Sequence, residues 1–187
     1  LYWSAEDQLS VNGVASAALT TEEAGKASAG FTFDSTLSYP YNVVYPASSA
    51  NEVTFLAEQA YTPGTFCAGA APMYGYATDA SSAIQMYNLA GVLRFDISGE
   101  ATLSSIVVSA EGANLAGKFS VDCATGALTA REEATNVVTV SFGEGLALTE
   151  TATPIYIAVP AGSYGMVSTK IYSTAGEVMT VKFDSST

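Results

Sequence analysis

The chain is expected to be all-β, an antiparallel two-layer β-sandwich, and three features of its sequence point there. Apolar residues alternate with period two rather than 3.6. The alternating runs are rich in Thr, Val, Ile, Phe and Tyr. Gly, Asn-Gly, Pro or Ser clusters interrupt them about every ten residues. In chain order, strands are expected at residues 8–12, 30–34, 53–56, 84–89, 91–98, 102–110, 118–121, 136–142, 153–159, 165–173 and 177–183. Residues 48–61, between Pro46 and Pro63, have some helical character, but Val53-Thr54-Phe55 suits a strand better. Glu111-Gly112, Ala124-Thr125-Gly126 and Thr174-Ala175-Gly176 each supply a turn with a glycine tolerant of positive φ. Residues 37–80 hold Pro40, Pro46, Pro63 and Pro72 among many small residues and are expected to be mostly extended loop.

Alternation also assigns faces. Ile155, Ile157 and Val159 lie opposite Tyr156 and Ala158, and Val138, Val140 and Phe142 lie opposite Val137, Thr139 and Ser141. Val92, Phe95, Ile97, Ile106, Val108, Phe119 and Val121 complete the expected core, with a bulge reconciling the unlike parity of Val92 and Phe95. Composition is uniform, without repeat or linker, so residues 1–187 are expected to form one domain. At 187 residues and 49% hydrophobic, the chain can bury roughly 70% of its unfolded surface and needs neither disulfide nor metal to hold a core.

The charge balance excludes whole classes of function. With 18 Asp and Glu against 6 Lys and Arg, the net charge of −12 offers no basic patch for nucleic acid or for an anionic membrane. No run approaches the roughly 20 apolar residues of a transmembrane helix. Without histidine, Ser-His and Cys-His nucleophilic arrangements are impossible, and the commonest transition-metal ligand is missing. No dinucleotide or phosphate-binding glycine loop occurs, so no cofactor is expected. Glu22-Glu23 and Glu132-Glu133 could suggest a small glycosidase, but adjacent acids on a strand point apart and in turns are usually solvated. Asp122-Cys123-Ala124-Thr125-Gly126 carries too few acids for a calcium loop and reads as a turn. No enzyme activity and no metal site are expected.

Two further groups of residues stay open in meaning. Cys67 and Cys123 either pair in an oxidising compartment or are two separate thiols packed as small core residues. Tyr39, Tyr41 and Tyr45 share parity, as do Tyr74 and Tyr76. Each set could make a platform for a sugar ring or a partner, or could simply pack half-buried. Trp3 reads equally as a core plug or an exposed contact.

The order of several segments resembles one family. Trp3-Ser4-Ala5-Glu6-Asp7-Gln8-Leu9-Ser10-Val11-Asn12-Gly13, Tyr45-Pro46-Ala47-Ser48, Gln59-Ala60-Tyr61 and Ala71-Pro72-Met73 follow the order typical of the fimbrillin-like proteins of the Bacteroidales. So do Asn88-Leu89-Ala90-Gly91-Val92-Leu93-Arg94-Phe95, Leu103-Ser104-Ser105-Ile106-Val107-Val108, Leu115-Ala116-Gly117-Lys118-Phe119 and Ile155-Tyr156-Ile157-Ala158-Val159-Pro160-Ala161-Gly162. The resemblance implies a transthyretin-like Greek-key β-sandwich that is exported and sits at the cell surface, outer membrane-associated or fimbrial. It implies a non-enzymatic structural or adhesive subunit of a fimbria or surface lipoprotein, joined to neighbouring pilus subunits or surface proteins by strand addition. A glycan-binding module for host or dietary glycans is the alternative.

Departures shape the expectation. Members usually carry a lipidated N-terminal Cys and a second sandwich, so these 187 residues are expected to be an N-terminal domain or a module of a larger surface protein. Glu6 stands where a Gly is frequent. In the family an extended segment precedes the Trp-containing motif and pairs into the sheet. Here only Leu1 and Tyr2 precede Trp3, so a sheet edge is expected to be open to a strand from elsewhere.

Overall fold

A computed structural model describes residues 2–80 and 83–184. The fold is all-β as expected, with 49% strand and no helix among the described residues. The first strands are β1 (Ser10–Val11), β2 (Val14–Ala15), β3 (Tyr41–Tyr45), β4 (Glu52–Phe55), β5 (Glu58–Ala60), β6 (Met73–Ala77) and β7 (Tyr87–Asn88). The longer ones follow: β8 (Ala90–Ile97), β9 (Thr102–Ala110), β10 (Gly117–Asp122), β11 (Ala127–Ala130), β12 (Val137–Ala147), β13 (Thr153–Pro160), β14 (Met166–Ser173) and β15 (Val178–Asp184). They belong to two compact units interleaved in sequence. The first comprises Leu1–Val53, Pro72–Leu89 and Phe119–Thr129, and the second Thr54–Ala71, Ala90–Lys118 and Ala130–Thr187.

The second unit is a two-layer sandwich. Its larger sheet runs β15-β14-β9-β12-β5, antiparallel except that β5 lies parallel to β12. Against it packs the antiparallel pair β13-β8. Ile106 and Val108 of β9, Val138, Val140 and Phe142 of β12, Val167 and Ile171 of β14, and Ile155, Ile157 and Val159 of β13 fill the space between, as period-two sequence dictates.

Two irregularities let distant apolar residues share this face. Leu103 and Ile106 differ in parity, yet both are buried. Ser104 is the extra residue of a bulge opposite the Tyr172 to Ser173 step, its hydroxyl donating to both their carbonyls at 3.3 Å. In β12 the register jumps between Ser141 and Leu146, where Gly145 holds φ of +118°. A side chain there would press on Thr102, so this position requires glycine.

Val92 is a correction. The β13-β8 register runs unbroken from Thr153 opposite Ile97 to Pro160 opposite Ala90, so no bulge turns Val92 inward. It is 46% exposed and shares the outer face with Arg94, which pairs with Asp96 at 3.0 Å and lies over the Tyr156 ring. Leu93, Phe95 and Ile97 instead pack on the core.

The first unit holds the sheet β2-β1-β3-β6-β7. A small core of Leu9, Val11 and Val43 is flanked by Trp3, Phe31, Phe33, Tyr41, Tyr45, Ile84 and Met86. A three-stranded sheet runs β11-β10-β4. Residues 37–80 were expected as loop but contain β3 to β6. The prolines account for the difference. Pro40 and Pro46 flank β3, Pro63 follows β5 and Pro72 precedes β6, so they end strands rather than prevent them. Residues 30–34 form no strand, although Phe31 and Phe33 still pack inward, and the strand expected at 84–89 is only Tyr87–Asn88.

Thr169 of β14 is fully buried, and its hydroxyl has no hydrogen-bond partner among the described residues. Thr169→Val keeps the shape and removes an unpaid desolvation, so it is expected to stabilise the fold by about 1 kcal/mol in chemical denaturation.

Candidate interaction surfaces

The tyrosines singled out by parity do not make one platform. Register pairs Val43 with Gly75 and Val44 with Tyr74, so Tyr41 and Tyr45 lie on one face of the sheet while Tyr74 and Tyr76 lie on the other. On the first face Trp3 is a half-buried plug, edge-on to Phe31 at 5.0 Å and to Tyr45 at 5.3 Å between ring centroids. The Tyr45 hydroxyl donates to Asp7 Oδ1 at 2.7 Å, and burial followed by this bond pushes the phenol far above its ordinary range. Tyr39 stacks on Tyr41 with centroids 3.9 Å apart and 16° between planes, and remains 40% exposed. On the second face the Tyr74 ring lies against Gly126, where any Cβ would collide with it, and tilts toward Tyr87 at 5.6 Å. Tyr76 is 38% exposed.

The Trp-containing segment is itself paired. Trp3 N–H donates to the Lys26 carbonyl at 3.0 Å, and its own carbonyl accepts from Gly25 N–H at 2.8 Å. Glu6, which stands where the resembling family often has glycine, adopts φ of +67°, the left-handed conformation that glycine enters without cost.

Cys67 and Cys123 form no disulfide. Cys123 is buried, its thiol donates to the Val43 carbonyl at 3.7 Å, and burial raises its pKa to about 11. Cys67 is only partly covered. A thiol-specific disulfide reagent at neutral pH is therefore expected to modify Cys67 in the folded chain and Cys123 only on unfolding. Two thiols that stay silent in denaturant until reductant is added would contradict this.

The acidic pairs lie in turns. Glu23 accepts from the Thr20 N–H and hydroxyl, which lowers its pKa, and Glu133 forms an exposed ion pair with Lys118 at 3.0 Å. Among the described residues no three Cys, Asp or Glu side chains gather as a metal site.

The second unit offers a surface of another kind. In β15, the outermost strand of its sheet, Val178, Met179 and Val181 are 52%, 51% and 41% exposed. Met179 and Val181 pair with buried Ile171 and Thr169 of β14, so they stand on the core side of the sheet, where inward residues are normally covered. Residues 178–181 carry no charge. Among the described residues β8 also has a single strand partner, but Arg94 and Asp96 blunt its edge. The edge strands β2 and β7 of the first unit are two residues long. Gln59 caps the free side of β13: its Nε2 donates to the Ala158 carbonyl at 2.6 Å, and its Oε1 accepts from Ala158 N–H at 3.1 Å. Sequence parity could not locate Gln59, because its partner lies 99 positions away.

No protein-family model matches the chain. No curated protein matches it either. Among solved structures the chain is similar to one from Bacteroides ovatus described as a candidate cell adhesion protein, with a TM-score of 0.52 and 14% sequence identity over 96% of this chain and 77% of that one. At that identity the likeness is one of fold.

Proposed function

We propose that the chain is a non-enzymatic structural or adhesive domain of an exported cell-surface protein, of the fimbrillin-like kind its segments resemble, and that it joins a neighbouring subunit by strand addition along β15. The carrying observation is the uncharged, apolar edge at residues 178–181, with inward-facing Met179 and Val181 half exposed. Unpaired N–H and C=O groups on such an edge template another strand, and an incoming strand would lay alternate side chains over Met179 and Val181. The likeness in fold to the Bacteroides ovatus protein supports an adhesive role.

A second copy of this chain is the first partner to test. In sedimentation velocity the parent chain is expected to associate as its concentration rises. Val181→Lys is expected to hold it monomeric with little change in melting temperature, because the new charge costs little on an exposed edge and much in a paired one. A parent chain that stays monomeric throughout, or a lysine variant that associates as well as the parent, would contradict the proposal.

A further inference from the structure

The first unit contains a pocket of about 400 Å³ whose lining includes Asn12, Gly13, Ser38, Tyr39, Asn42 and Asn51. Its walls are tied together. Asn12 and Gly13 turn the chain from β1 to β2 with φ of +52° and +80°, the signature of a two-residue hairpin of Asn-Gly type. Gly13 then lets the Ser49 carbonyl approach where a Cβ would collide with it. The Asn12 amide is fully used: Nδ2 donates to the Ser38 carbonyl at 2.9 Å and the Pro40 carbonyl at 3.1 Å, while Oδ1 accepts from Asn42 N–H at 2.9 Å and Asn42 Nδ2 at 3.2 Å. This one side chain fixes the 38–42 segment to the hairpin, so the pocket is held in shape.

The remaining polar groups are not needed for the fold. The Asn51 side chain has no hydrogen-bond partner among the described residues, and neither does Asn42 Oδ1 nor the Ser38 hydroxyl. Beside them is the Tyr39 ring, backed by Tyr41. None of the lining residues is charged, although the chain carries −12. An anion would find no cation among the lining residues and would meet the negative charge of Asp79, which reaches Tyr39; a cation would find no carboxylate in the lining itself; and an apolar ligand would strand the amides without partners. A neutral sugar fits all three conditions: its hydroxyls both donate and accept, as amides do, and its C–H face packs on an aromatic ring.

We propose that this pocket binds one residue of a neutral glycan, the amides of Asn42 and Asn51 taking hydroxyls and Tyr39 packing on the ring of the sugar. The proposal goes beyond strand addition. It concerns residues of the first unit, whereas β15 belongs to the second, so either can fail alone.

The test is an NMR titration of the chain with methyl glycosides of neutral hexoses and N-acetylhexosamines, and with the methyl glycoside of N-acetylneuraminic acid as the acidic comparison. Saturable shifts of the Asn42 and Asn51 side-chain amides are expected with at least one neutral glycoside, at a Kd on the order of 1 mM, and none with the acidic one. Asn51→Ala and Tyr39→Ala are each expected to weaken binding by about tenfold or more, while Tyr87→Ala, at a more exposed tyrosine outside the pocket, leaves it unchanged. Asn51→Ala is expected to melt with the parent, so its result stands even if Tyr39→Ala unsettles the Tyr41 stack. Absence of binding by every neutral glycoside, preference for the acidic one, or full binding by Asn51→Ala would overturn the proposal.

Discussion

Truncation of Ile157 to Ala is expected to lower stability by about 2 to 5 kcal/mol, read as a shifted midpoint in chemical denaturation with an unchanged slope. Ile157 is fully buried and sits in the middle of β13, where register sets it beside Leu93 of β8. Its side chain belongs to the same cluster as Ile106, Val108, Val138 and Val140 of the opposing sheet. Rigid strands on both sides cannot collapse into the space left by the lost atoms, so a cavity term adds to the lost transfer energy. Tyr156→Ala next to it is the control. Tyr156 lies on the outer face under Arg94, and its loss is expected to cost about 1 kcal/mol or less. Equal costs for the two variants would mean that the face assignment of β13 is wrong.

Gln59→Leu is expected to cost about 2 to 5 kcal/mol although it adds an apolar side chain to a buried site. Gln59 is 2% exposed and serves as a one-residue strand on the free side of β13, meeting both backbone groups of Ala158. Leucine fills the volume but leaves that N–H and C=O buried without partners, and each such group costs about 1 to 3 kcal/mol. Gln59→Glu separates the two halves of the interaction: a carboxylate can still accept from Ala158 N–H, but it faces the Ala158 carbonyl with no proton to give. Its loss of stability is expected to shrink as pH falls and the carboxyl becomes protonated. Calorimetric melting of both variants across pH checks the pair; a leucine variant as stable as the parent would show that the Ala158 groups find other partners.

Much of the second unit could be read from the sequence because its strands are long enough for alternation to speak. Thr102–Ala110 was expected to the residue, and Ile155, Ile157 and Val159 were placed on the buried face. Strands of two or three residues, such as Val14–Ala15 and Glu58–Ala60, show no period, and the partner of Glu58–Ala60, β12, lies far along the chain. The prolines of residues 37–80 suggested loop because composition does not distinguish a proline inside a strand from one at its end. The tyrosines show the limit of parity most clearly. It groups Tyr41 with Tyr45 and Tyr74 with Tyr76, but only the pairing of Val43 with Gly75 puts the two groups on opposite faces. The pocket was likewise hidden, since Ser38 and Asn42 are tied to Asn12 through one amide bridging about thirty positions, with no local motif to mark it.

Strand addition at β15 is tested most directly by amide hydrogen exchange, followed residue by residue in dilute and in assembled chain. On isolated β15, amides directed away from β14 have no strand partner among the described residues and should exchange within the range of frayed edges. Assembly through β15 predicts that these amides become strongly protected, centred on residues 178–181, while β8 and the edges of the first unit keep the exchange rates they have in the dilute chain. Protection that leaves β15 unchanged, or that grows along another edge, would contradict it.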